Sequence, residues 1–85
     1  MAEPIPRWLM EKYTLLLKKF KENEFTFDEA MKTLNGDKVY ISIVLSRLRK
    51  AGWLERKMNT EDARKRIYNL IAPEIVMKEI AKELQ

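Results

Sequence analysis

The apolar rhythm of this chain changes at Gly52. Before it, over residues 38–51, Ile41, Val44, Leu45 and Leu48 recur at intervals of three and four, which places them on one face of a helix at about 100° per residue. After it, Trp53, Glu55 and Lys57 alternate with Leu54, Arg56 and Met58, the period of a strand. Glycine at the changeover suits the residue just past a helix, where a left-handed backbone ends the last turn. The stretch SRLRKAGWLER therefore stops a helix and starts a strand within a few residues, with basic side chains on both sides of the stop. A chain of 85 residues has room for one domain. Helix and strand must then share one small core.

The remaining elements follow from the same periodicities. Leu9, Tyr13, Leu16 and Phe20 predict a first helix over about 6–22, with Pro6 in its first turn, where a missing N–H costs nothing. Thr26-Phe27-Asp28-Glu29 is a capping-box pattern that starts a second helix at 27–34. Asn35-Gly36 breaks that helix, and Asp37 is a good cap for the third. Residues 53–71 read as a hairpin, its second arm being the alternating Arg66-Ile67-Tyr68-Asn69-Leu70 and its tip the polar Asn59-Thr60-Glu61-Asp62-Ala63. Pro73 opens a last amphipathic helix over 73–84 with Val76, Met77, Ile80 and Leu84 on one stripe. The order is helix, helix, turn, helix, hairpin, helix. It predicts an α+β, mostly helical winged helix-turn-helix: a three-helix core, a wing of two or three strands and a C-terminal helix.

Charge narrows the function. Residues 36–70 carry nine basic side chains against four acidic ones, a local excess of +5 within a net charge of +4. A basic field confined to one region attracts a polyanion. The chain has no His and no Cys, which removes the commonest general base, the thiolate nucleophile and the usual zinc ligands. With no glycine-rich phosphate loop either, the expectation is a protein that is not an enzyme and uses no metal or other cofactor. No apolar run approaches the ~20 residues of a membrane span, and the basic residues gather on a hairpin rather than along one helix, so membrane binding is not expected. The opening residues lack a signal peptide's pattern, and a cytoplasmic protein is expected.

The stretch IVLSRLRKAGWLERKMNTEDARKRIYNLIAPE resembles the second half of the DNA-binding core of MarR-type regulators. Lys50, Gly52, Glu55-Arg56, Glu61-Asp62 and Arg64 match the family pattern, and the likeness covers roughly residues 37–74. The resemblance implies a transcriptional regulator of double-stranded DNA whose third helix enters the major groove and whose wing reaches the minor groove. It makes Arg64 the wing arginine that such regulators insert there, and Asp62 the acidic wing residue that orients a nearby arginine. MarR-type proteins usually carry further terminal helices that build a dimer and a ligand pocket. Here one helix precedes the second helix and one follows the wing, so a homodimer would use the first helix, the C-terminal helix, or both.

The residues themselves fill in the rest of the interface. On the third helix Lys38, Tyr40, Ser42, Ile43, Ser46, Arg47 and Lys50 lie outside the apolar stripe, and Arg47 is a candidate for bidentate contact with guanine. On the hairpin Lys57, Lys65 and Arg66 are candidates for phosphates, which position a protein without reading sequence. Val39 and Ile43 sit on the face that should meet bases. Apolar groups there suit thymine methyls, but they equally suit a protein partner. A winged-helix protein-interaction module is therefore the rival function, and a DNA-binding module preceding a larger domain is the other.

Overall fold

The computed structural model describes residues 2–58 and 66–84. Its elements are α1 (Arg7–Phe20), β1 (Phe25–Thr26), α2 (Phe27–Leu34), α3 (Lys38–Lys50), β2 (Leu54–Met58), β3 (Arg66–Leu70) and α4 (Pro73–Glu83). The three strands form an antiparallel sheet in the order β1-β3-β2, with Phe25 opposite Tyr68 and Leu54 opposite Leu70. The architecture is mostly helical α+β, a winged helix-turn-helix.

Each element is held by the residues that announce it. In α1 the Leu9 and Met10 amides donate to the Pro6 carbonyl at 3.1 and 3.0 Å. This helix ends at Phe20, two residues before the apolar pattern suggested, because Lys21 turns to a φ of 53°. The reversal brings Phe25 back onto Phe20, ring over ring at 4.5 Å, and delivers β1 to the edge of β3. The capping box of α2 is complete: the Glu29 amide donates to Thr26 Oγ1, and the Thr26 amide donates to Glu29 Oε1.

The α2–α3 turn divides its work between two residues. Asn35 adopts the left-handed conformation, φ 52° and ψ 52°, that ends α2. Gly36 meets a different need: a Cβ there would lie 2.8 Å from Tyr40 Cδ2 and 3.2 Å from Ile41 Cδ1. Asp37 then caps α3, its Oδ1 accepting from the Tyr40 amide at 2.7 Å.

At the other end of α3 the Gly52 amide donates to the Arg49 carbonyl and the Trp53 amide to the Leu48 carbonyl, at 3.1 and 2.9 Å. Those two bonds with Gly52 at φ 82° make a Schellman stop. Trp53 belongs to this stop and not to the strand alternation, so Trp53 and Leu54 are both buried although they are sequence neighbours.

The core runs through the interior of the helices onto one face of the sheet: Leu9, Leu16, Ile41, Val44, Leu48 and Trp53 are among its most buried members, with Phe25, Tyr68 and Leu70 from the strands. Residues 2–5, for which the sequence suggested no role, close one side of it. Ala2 is fully buried and its amide donates to Glu79 of α4, the Glu3 amide donates to the Ala51 carbonyl, and the Trp53 indole N–H donates to the Glu3 carbonyl at 2.7 Å. Trp53 also meets Tyr13 edge to face at 4.9 Å. The Tyr13 hydroxyl donates to the Ile71 carbonyl at 2.6 Å, tying α1 to the approach to α4. Among the described residues, no helix is long and apolar enough to cross a membrane.

Candidate nucleic-acid interface

Helix α3 buries Ile41, Val44, Leu45 and Leu48, so its remaining side chains divide into a central ridge and two flanks. The ridge consists of Val39, Ile43, Ser46 and Lys50. Val39 is 69% exposed and Ile43 45% exposed. One flank faces α1. There the Arg47 guanidinium lies 5.9 Å from the centre of the Trp8 ring, and the Lys12 ammonium lies 5.7 Å from the centre of the Tyr40 ring. Cations over aromatic faces at this distance are attracted by the ring quadrupole. Arg47 and Tyr40 are thereby engaged with α1.

The other flank faces the wing. Ser42, Leu45, Ser46 and Arg49 of α3 line a groove of about 160 Å³ with Arg56, Arg66 and Tyr68 of the hairpin. Strand register explains why these residues meet. Arg56 stands opposite Tyr68, and Tyr68 points into the core. Residues directly opposite share a face of the sheet, so Arg56 is on the side that fronts α3, just beyond the buried Leu54. Arg66, two residues from Tyr68 on β3, is on that side as well. Lys57, opposite Ile67, projects from the reverse face and is not part of the groove.

Three guanidinium groups thus border one cleft. Among the described residues the ion pair formed is Arg7 with Glu11 on α1, at 3.7 Å, and none involves Arg49, Arg56 or Arg66. Arginines that no described carboxylate pairs have their donors available for a phosphate, which matches the guanidinium fork. No group of residues that could hold a metal ion occurs among the described residues.

Of the residues expected at the site, the structure brings together Ser42, Ser46 and Arg66 in the cleft, with Ile43 and Lys50 on the adjoining ridge. Lys38 lies exposed in the first turn of α3. Asp62, Arg64 and Lys65 lie outside the described residues. Arg49 and Arg56 also line the cleft, and neither stands out in the sequence as a DNA contact. Helical periodicity puts Arg49 on a flank of α3 and strand alternation puts Arg56 on the side of Leu54, and only the packing of α3 against the hairpin makes them neighbours.

No family model matches the chain. Solved structures do. A MarR mutant from E. coli complexed with operator DNA superposes with a TM-score of 0.68 at 24% identity, over 87% of this chain and 52% of that one. FabT from Streptococcus pneumoniae in complex with DNA gives 0.68 at 19% identity, over 94% of this chain and 54% of that one.

The fold is that of the MarR-type winged helix.

The chain spans about half the length of those two proteins. A curated relative, a type I restriction enzyme MjaVIII methylase subunit from Methanocaldococcus jannaschii, is 42% identical over 65 residues, which is 76% of this chain and 11% of that protein. The chain is thus similar in sequence to a small part of a much larger protein, and in fold to about half of the two solved structures.

Proposed function

We propose that the protein is a DNA-binding module of the transcription-regulator type, with α3 in the major groove and the wing along the backbone. The observation that carries this reading is the cleft of Arg49, Arg56 and Arg66 between α3 and the hairpin, none of them paired to a carboxylate among the described residues. Its placement on a fold shared with structures solved in complex with DNA supports the same reading. In this account the cleft holds backbone phosphate, Ser42 and Ser46 donate beside it, and Lys50 extends the basic edge. Arg64 enters the minor groove, where a narrow, electronegative channel suits a long planar cation. Lys65 adds a phosphate contact, and Asp62 orients an arginine of the wing. Met77 of α4 and Leu84 at its end, both exposed, supply an apolar surface for a homodimer. A cytoplasmic location follows from the role.

The test is a gel shift with random duplex DNA at 50 and 200 mM salt. A dimer neutralising ~6–10 phosphates loses about 10³–10⁵-fold in affinity over that range. Arg49→Ala with Arg56→Ala should weaken binding to every sequence and flatten the salt slope by about two phosphates per subunit. Salt-insensitive binding, or a double variant with unchanged affinity and slope, contradicts the proposal.

A second reading, that the chain serves as the DNA-docking module of a larger protein, is favoured by its match to 11% of a methylase subunit. The two readings share the same interface and differ in what is attached to it.

A further inference from the structure

We infer that the ridge of α3 reads thymine, through contact of Val39 and Ile43 with the 5-methyl groups in the major groove. The inference rests on the DNA-binding reading above and names what that site recognises.

Helix α3 reads KVYISIVLSRLRK and holds no Asn, Gln, Asp or Glu. The amides that pair bidentately with adenine and the carboxylates that accept from cytosine are therefore missing from the element that would face the bases. Guanine needs Arg or Lys at the ridge. Arg47 is engaged with the Trp8 ring at 5.9 Å, and Arg49 lines the cleft with Arg56 and Arg66. Lys38 stands at one end of the helix and Lys50 closes the ridge at the other, in the last turn, away from Val39 and Ile43. The rest of the ridge is left to Val39 and Ile43, both exposed, and to the hydroxyl of Ser46, with Ser42 beside it on the flank that faces the wing.

The one base feature in the major groove that rewards an aliphatic group is the thymine methyl. Val39 and Ile43 are one helical turn apart, about 6 Å along the axis and roughly two base-pair steps. Each can cover one methyl. The charge beside them decides between DNA and an apolar protein surface as the occupant. A cleft of three arginines borders this ridge, and a duplex supplies phosphates and methyls at that proximity together. A serine hydroxyl accepts or donates to any base edge, so Ser42 and Ser46 add little discrimination.

The experiment selects bound duplexes from a randomised pool. It then measures affinity for a selected site in which each thymine is replaced by deoxyuridine, which differs only by the lost methyl. Selected sites should hold thymines two pairs apart. Deoxyuridine at either should cost about fourfold, and at both about fifteenfold, the equivalent of ~0.8 kcal/mol per buried carbon group. Val39→Ser with Ile43→Ser should remove most of the difference between thymine and deoxyuridine, while the salt slope on random duplex, which the phosphate contacts set, is unchanged. Both side chains are exposed, and circular dichroism melting checks that the variants fold; Ile43→Ser alone serves as the second probe. Equal affinity of the wild type for thymine and deoxyuridine sites, with retardation still present, overturns the thymine inference and leaves the DNA reading standing. Failure to retard any duplex at 50 mM salt overturns both.

Discussion

Replacing Gly52 by alanine isolates the residue that ends α3 and starts the wing. Gly52 sits at φ 82°, a region in which a Cβ meets the backbone at a cost of roughly 1–2 kcal/mol. Alanine also restricts the unfolded chain, which returns about 0.4–1 kcal/mol to the folded state. The expected net loss is thus ~1 kcal/mol. For a domain of 85 residues that lowers the melting temperature by about 4–8 °C. D-alanine, introduced by chemical synthesis, prefers positive φ and keeps the gain from the unfolded chain. It should melt a few degrees above the wild type. Thermal unfolding followed by far-ultraviolet circular dichroism separates the three proteins. If L-alanine at 52 melts at or above the wild type, the left-handed stop is not what constrains this position. If D-alanine destabilises as much as L-alanine, steric contact rather than backbone handedness is the cause.

Two more expectations follow from the hydrogen bonds. Burial, and then the negative charge of Glu74, raise the Tyr13 hydroxyl above its ordinary pKa of 10.0. The folded state then holds that proton to higher pH than the unfolded chain does, so this contribution to stability is complete below pH 10 and is lost as pH climbs through the folded value. Urea unfolding at pH 9 and pH 11 should show a decline that Tyr13→Phe reduces, whereas an equal decline in the variant would place the titrating group elsewhere. Asp37→Ala removes the side-chain acceptor of the Tyr40 amide at the start of α3 and should cost ~1 kcal/mol. Asp37→Asn should recover most of it in the same unfolding assay, since Asn caps almost as well; failure to recover would mean that charge, and not the cap bond, matters.

The elements of this protein are legible in its sequence because each rests on local physics. Apolar spacing marks the four helices, Thr26 and Glu29 mark the start of α2, and Gly52 marks the stop of α3. The missing His and Cys leave the chain without an imidazole or a thiolate. Local physics does not extend to where Lys21 turns the chain, since that turn is decided by the distant pairing of Phe25 with Tyr68. Nor does it reveal that residues 2–5 cap Trp53, because so short a segment has no period to read.

The interface shows the same division most clearly. The sequence by itself determined that a basic excess surrounds the junction of a helix and a hairpin, and that the exposed side of that helix is unusually apolar. Only the tertiary structure decided how the charges are grouped. The packing of α1 beside α3 draws Arg47 toward Trp8. Strand register turns Arg56 and Arg66 toward Arg49, and sends Lys57 to the reverse face. The physical reason is that periodicity assigns a side chain to a face of its own element. Which cation borders which cleft depends on the crossing of elements far apart in the chain, and no local pattern encodes it.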